Sequence, residues 1–281
     1  MIQAMELGRF RLYPLCDGYF RLDGGSMFGI VPKAMWSRQC PADEKNRISL
    51  AIRSLLIEAG NQWILVDTGL GDKFDAKFKE IYAIENTPGI ENQLQQIGIA
   101  PDDINIVINT HLHWDHAGGN TRKEPQSGKY IPGFVNARYV VQKGEFEFAS
   151  HLNERIKGSY RTEDYLTLEH SYYDLVDGDK TIVNGVRVVR SGGHVPSHQC
   201  VLLESDSRKA FYLGDLLPTH YHLPFPYITG FDIEPLVSLQ RKKEYLKQAA
   251  EENWFLFFSH DATVPFGQVE WKETAYRLMN A

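Results

Sequence analysis

Cysteine is scarce in this 281-residue sequence: Cys16, Cys40 and Cys200 are the only three, and no CxxC pair occurs. An odd, dispersed set does not form a disulfide framework, so a reducing, cytoplasmic location is expected. Long apolar runs are missing too. The N-terminal stretch MIQAMELGRFRLYPL lacks the apolar core of a signal peptide, and no run is long enough to span a bilayer, so no membrane association is expected. Basic charge is in short supply: 30 Lys and Arg stand against 36 Asp and Glu, a net charge of −6. That leaves no electrostatic footprint for nucleic acid. No Ser/Gly-rich linker or break in composition divides the chain. Residues 1–281 are long enough to bury a large core and are expected to form a single domain.

What is present is a series of short apolar runs. FRLYPL (10–15) predicts an early strand, and RISLAIRSLLIEAG (47–60) with QWILVDTG (62–69) predicts a hairpin. GIENQLQQIGI (89–99) has Ile90, Leu94 and Ile97 at helical spacing and Gly98 as its cap. PDDINIVINT then gives a buried strand at 104–109. ARYVVQ (137–142) predicts a strand, KGEFEFASHLNERIK (143–157) a helix, and 158–170 a loop or a further short helix. A second block of strands follows in YYDLV, KTIVNGVRVVR and QCVLLESD, with a hairpin turn at Asn184 and Gly185. KAFYLGD (209–215) is another buried strand. The strongest helix covers 233–253, with Leu236, Leu239, Tyr245 and Leu246 on or near one side, and WFLFFSHD (254–261) is the final strand. Strands followed by helix, in both halves, predict an α+β fold of two sheets face to face with helices outside.

Several of these strands end in residues that bind metals. INIVINT leads into HLHWDHAGGN, with His111, His113, Asp115 and His116; VRVVRSGG leads to His194, FYLG to Asp215 and FLFFS to His260. Taken singly, each has a bland alternative: a polar surface loop, a turn histidine, a helix cap, a core histidine. Together, each behind an apolar run, they point to a metal site. His111 and His113, at i and i+2, face one side of an extended segment and suit one ion, while Asp115 and His116 lie beyond a bend and suit a second. Imidazole and carboxylate without thiolate suit zinc first, with iron, manganese or cobalt as alternatives.

HLHWDHAGG resembles the HxHxDH signature of the metallo-β-lactamase superfamily, and GGHVPSHQ, LGD and SHD resemble its later metal motifs, in the same order. The resemblance extends over nearly the whole chain and implies the four-layer αβ/βα sandwich of that superfamily. It implies that His111, His113 and His194 hold one divalent ion, that Asp115, His116 and His260 hold another, and that Asp215 bridges the two. GGSMFGIVPKAMW (24–36) and GDLLPTHYHLP (214–224) resemble loops of quorum-quenching N-acyl homoserine lactonases and of methyl-parathion-hydrolase-like proteins. The better-known lactonases place a catalytic tyrosine three residues after the bridging aspartate. Here that position is Pro218, so either His220 or Tyr221 takes its role or the substrate differs.

The expected activity is hydrolysis of an ester or lactone by a hydroxide shared between the two ions. Asp215 would keep the ions at their spacing, and Asp115 would relay a proton to the leaving alkoxide. A phosphotriesterase or arylesterase, a glyoxalase II-like thioesterase and, remotely, a metal-stabilised binding protein are the alternatives. Asp67 and Thr110 are candidates for orienting the ligand histidines, His198 is expected to be a neighbour of the metals rather than a ligand, and Gly118 and Gly119 are expected to let backbone approach the ions. Met27, Phe28 and Trp36, in an unusually apolar segment, are expected to line a substrate pocket; the alternatives are packing on the core or at a homodimer interface.

Overall fold

The computed structural model describes residues 2–85 and 89–279. The chain opens with β1 (Met5–Leu7) and the long β2 (Phe10–Asp23), then two short helices, α1 (Gly24–Phe28) and α2 (Lys33–Trp36). β3 (Arg47–Ala59) and β4 (Gln62–Val66) form the expected hairpin and are followed by α3 (Ala76–Tyr82), α4 (Ile90–Ile97) and β5 (Ile104–Ile108). After the one-turn α5 (Trp114–Ala117) come β6 (Thr121–Lys123), β7 (Tyr130–Pro132), β8 (Arg138–Gln142), α6 (Lys143–Ala149) and β9 (Tyr173–Val176). The second half contains β10 (Lys180–Val183), β11 (Val186–Arg190), β12 (Gln199–Ser205), β13 (Arg208–Tyr212), α7 (Pro235–Glu252), β14 (Phe255–Phe257), β15 (Phe266–Gly267), β16 (Val269–Lys272) and β17 (Ala275–Leu278).

Two mixed sheets carry the fold. One has the order β1-β2-β3-β4-β5-β8-β9 and the other β10-β11-β12-β13-β14-β15. β4, β5, β8 and β9 run parallel to one another, as do β13 and β14, whereas the remaining pairs are antiparallel. The sheets face each other across a core in which Leu12, Leu55, Val66 and Ile108 of the first meet Val188, Val201, Tyr212 and Phe257 of the second. Alternate residues point outward and meet helices. Leu94 of α4 packs on Leu56, Leu65 and Val107, and Tyr245, Leu246 and Ala249 of α7 pack on Phe211, Leu256 and Phe258. Helix, sheet, sheet and helix form the four layers of the αβ/βα sandwich.

Three local expectations are corrected. The helix read over 143–157 stops at Ala149. Asn153 draws the chain into a turn, its side chain accepting the N–H of Arg155 at 3.0 Å, a local bond that competes with helix. In α7, Leu236 is 79% exposed and Lys242 takes a buried place, its Nζ donating to Pro224 O and Tyr227 O at 2.8 Å each. WFLFFSHD is not the last strand: β15 pairs with it, and β16 and β17 form a hairpin beyond, where Val269 and Tyr276 turn inward and Trp271 outward.

Parallel strands bring their C-terminal ends to one edge, the usual place for ligand-binding loops in α/β sheets. Beyond Val66 comes Asp67, and beyond Ile108 comes the histidine-rich loop. The facing sheet adds the segments after β11, β13 and β14. Direct backbone bonds tie these ends together: Asp67 N–H donates to Ile108 O at 2.9 Å, Gln199 N–H to Thr110 O at 3.0 Å and Ala51 N–H to His260 O at 3.1 Å.

Candidate metal centre

Side chains from five strand ends meet at this edge. The ligand-capable atoms of His111, His113 and His194 lie within 4.8 Å of one another, as do those of His111, His116 and Asp215, and those of Asp115, His116 and His260. Six of the seven side chains are buried, and Asp215 keeps 12% of its side chain exposed. Asp215 lies between the groups: its Oδ1 is 3.0 Å from both His116 Nε2 and His260 Nε2, and its Oδ2 is 3.4 Å from His194 Nε2. Asp115 Oδ2 is 3.5 Å from His260 Nε2 and 4.0 Å from His116 Nε2.

The outer ring nitrogens determine what the inner ones present. His116 Nδ1 is 2.9 Å from Asp67 Oδ2, His194 Nδ1 is 3.0 Å from Asp232 Oδ1 and His260 Nδ1 is 2.9 Å from the carbonyl of Ala51. Carboxylate and carbonyl oxygens only accept, so each of these outer nitrogens carries N–H, and in the neutral ring the inner Nε2 is then a lone pair that a cation can take. His111 Nδ1 lies 3.0 Å from Thr110 Oγ1, whose own hydroxyl donates to Asp67 Oδ2 at 2.9 Å; its buried Nε2 has no hydrogen-bond partner. The inner nitrogens crowd together. His116 Nε2 faces His260 Nε2 at 3.0 Å, and His194 Nε2 faces His113 Nδ1 at 3.1 Å. Facing lone pairs around a shared carboxylate repel one another, and a cation satisfies all of them at once. The donor set of imidazole and carboxylate therefore fits divalent metal ions, and the three overlapping groups make a two-metal site.

The electrostatics agree with this. Burial, reinforced by neighbouring imidazoles, holds His111 and His113 well below the ordinary imidazole range. Burial pushes His116 the same way, but Asp215, Asp67 and Asp115 outweigh it and raise the ring well above that range. Burial alone would raise Asp215; His260, His116 and His194 together hold it well below the usual carboxylate range. The carboxylates thus draw positive charge into the cluster, and a metal ion delivers that charge without requiring a proton on any inner nitrogen.

Local geometry explains why the motif folds this way. His113 is extended (φ −64°, ψ 152°) and acts as the N-cap of α5, so Asp115 and His116 come round on the first turn. Asp67 adopts a left-handed φ of 56°, which aspartate tolerates, and this turns its carboxylate onto Thr110 N at 2.8 Å as well as onto His116. Asp232, which sequence reasoning missed, is held by Thr229 Oγ1 at 2.7 Å and Ser238 Oγ at 2.5 Å, and so presents a fixed acceptor to His194. Its place just ahead of a strong helix reads as a capping residue, and only the fold reveals its other partner.

The remaining expected residues fall in different places. His198 is a neighbour: its Nε2 accepts the N–H of Asp215 at 3.2 Å and its Nδ1 lies 2.6 Å from Ser191 Oγ. His220 is hydrogen-bonded through Nδ1 to Asp261, the residue after His260, and keeps 23% of its side chain exposed. Tyr221 is half-buried and packs into an aromatic cluster with Phe20, Phe28 and Trp114. Met27, Phe28 and Trp36 belong to the interior of that same cluster, with Phe28 stacked on Trp36 at 5.2 Å and on His222 at 5.0 Å. This corrects the pocket expectation: the side chains back the site from inside the core, and the exposed apolar groups of the segment are Ile30 and Met35. Gly118 and Gly119 serve packing rather than approach to a metal, since a Cβ there would lie 2.1 Å from Leu70 O or 2.3 Å from Thr68 O. Trp114, next to Asp115 in the chain, packs on Tyr82 with ring centroids 5.2 Å apart, a contact that was not foreseen.

Comparison with known proteins agrees with this geometry. Residues 50–260 match the profile of the metallo-beta-lactamase superfamily. An N-acyl homoserine lactonase of Bacillus thuringiensis is 31% identical over 228 residues, covering 76% of this chain and 82% of that protein. Among solved structures, a probable metal-dependent hydrolase from Staphylococcus aureus superposes with a TM-score of 0.88 at 29% identity, covering 99% of both chains. The B. thuringiensis lactonase AiiA, as a mutant with N-decanoyl-L-homoserine bound at its active site, superposes with a TM-score of 0.68 at 27% identity, covering 92% of this chain and 95% of the other.

Proposed function

This chain belongs to the metallo-beta-lactamase superfamily, and from that membership we propose that it is a two-metal hydrolase that opens N-acyl homoserine lactones or closely related lactones. The observation that carries the proposal is the pair of imidazole groups sharing Asp215. The choice of lactone follows from the identity with lactonases over most of the chain. His111, His113 and His194 would hold one ion, Asp115, His116 and His260 the other, and Asp215 would contact both. Zinc suits this set best by ligand type. Three unpaired cysteines suit a cytoplasmic setting.

Bound divalent ions supply Lewis acidity, which polarises an ester carbonyl and makes water nucleophilic near neutral pH. The rest is done by the chain. Asp67, Asp232 and the Ala51 carbonyl fix three imidazoles in the tautomer that turns a lone pair inward. Ser259 Oγ, donating to Asp215 Oδ1 at 3.0 Å, steadies the shared carboxylate. A ring alkoxide is a poor leaving group and needs a proton. His220 can hold that proton at Nε2, because Asp261 engages its Nδ1, and it is partly open to solvent. On this reading His220 takes the role left by Pro218 in preference to Tyr221, which packs into the aromatic cluster, with Asp115 as the metal-side carboxylate.

A substrate panel tests the reading: lactones of varied chain length, aryl esters, phosphotriesters and S-lactoylglutathione, each assayed as kcat/KM with one fixed metal. Lactones should be preferred by at least about tenfold, a difference of about 1.4 kcal/mol in transition-state binding. A preference for phosphotriesters, aryl esters or S-lactoylglutathione with negligible lactone turnover would refute the lactone assignment and leave the metal centre intact.

A further inference from the structure

We propose that Tyr160, anchored by the buried carboxylate of Glu145, positions His113 in the place of the hydrogen bond that orients each of the other four site histidines. The proposal rests on the two-metal reading above. His111, His116, His194 and His260 each have an outer nitrogen engaged by Thr110, Asp67, Asp232 or the Ala51 carbonyl. His113 is turned the other way, with Nδ1 facing His194, and its outer Nε2 has no hydrogen bond among the described residues. A ligand imidazole without an outer partner is free to rotate about its side-chain bonds unless something else holds it.

The tyrosine ring lies against it. Tyr160 meets His113 edge to face, with centroids 4.6 Å apart and planes at 76°. The backbone keeps the two in register: His113 and Tyr160 form an isolated β-bridge, and Trp114 N–H donates to Ser159 O at 3.0 Å. The phenol hydroxyl donates to Glu145 Oε1 at 2.9 Å, and the same oxygen accepts the N–H of Leu112 at 3.0 Å. Leu112 stands between His111 and His113. One carboxylate oxygen therefore fixes both the backbone between two ligands and the ring that abuts one of them.

Core packing does not account for this glutamate. Glu145 is completely buried, no cation pairs with it among the described residues, and its Oε2 has no hydrogen-bond partner. Burial raises its carboxyl to about 7. An apolar residue of the same size would fill the space without the cost of burying a carboxyl group.

The test is chelator competition on cobalt-loaded protein, following the two ions by elemental analysis and by the cobalt absorption spectrum. Tyr160→Leu should release one ion at about 10–100-fold lower chelator while the second is held as in the wild type. Tyr160→Phe, which keeps the ring edge but gives up the anchor on Glu145, should fall between Tyr160→Leu and the wild type. Glu145→Leu, which keeps the volume but removes the acceptor, should weaken the same ion. Tyr165→Leu is the control for a merely structural role, because Tyr165 is fully buried in the same cluster and its hydroxyl donates to Ala149 O at 2.8 Å. It should lower Tm and leave both ions in place. Equal loss of both ions in Tyr160→Leu, wild-type retention in Tyr160→Leu or Glu145→Leu, or selective loss in Tyr165→Leu would overturn the proposal. A wild-type protein holding fewer than two ions would instead overturn the reading of the site itself.

Discussion

Asp215→Ala should leave a protein that retains fewer than two metal ions and has almost no hydrolytic activity. The carboxylate places one oxygen 3.0 Å from two imidazole nitrogens and the other 3.4 Å from a third, so on the proposed assignment a single truncation would remove a contact from both ions. It also leaves His116 Nε2 and His260 Nε2 facing each other without the negative charge between them. Losing about 4 kcal/mol of transition-state stabilisation corresponds to a fall of about a thousandfold in kcat/KM. His198→Gln is the comparison to make beside it, since both ring nitrogens of His198 are already engaged, Nε2 by the backbone N–H of Asp215 and Nδ1 by the Ser191 hydroxyl, while its ring packs against His111 at 5.3 Å. It should keep both ions and lose less than about tenfold in rate, as expected for a group that supports a site without entering it. Elemental analysis and steady-state kinetics on the two variants decide the matter. Equal metal loss in both would make His198 a ligand and the present assignment wrong.

Asp67→Asn should be the most damaging change that touches no metal. Both oxygens of Asp67 only accept: Oδ1 from Thr110 N–H at 2.8 Å, and Oδ2 from the Thr110 hydroxyl and from His116 Nδ1 at 2.9 Å each. An asparagine must place its NH2 on one side. Facing Thr110 N–H, it sets two donors together in a buried site; facing His116, it drives the ring to the other tautomer, with N–H pointing at the metals. Either outcome should weaken metal retention by about 10–100-fold. Chelator competition at fixed pH measures this, and unchanged retention would remove Asp67 from the account.

The candidate ligand positions were legible because strand ends are. INIVI, FYLG and FLFFS are short β-branched or aromatic runs whose burial is forced, and whatever follows them must appear at the sheet edge. The same logic made the β3–β4 hairpin and the α4 helix readable from apolar spacing and a glycine cap. What escaped depended on contacts distant in sequence. Asp232 is 38 residues from the histidine it orients, and Glu145 is 33 residues from the amide it accepts. Neither has a local signature. The apolar segment around Met27, Phe28 and Trp36 has the composition of a pocket wall and of a core alike, and only the stacking of Phe28 between Trp36 and His222 distinguishes them. The early end of α6 was hidden because 143–157 has helical composition while Asn153 forms a turn of its own.

The most direct test of the two-metal hydrolase is metal content set against activity in the same sample. Protein purified without chelator should carry two divalent ions per chain, lose hydrolysis when they are stripped and regain it when zinc, cobalt or manganese is restored. A metal-free preparation that hydrolyses lactones at the full rate would contradict the account.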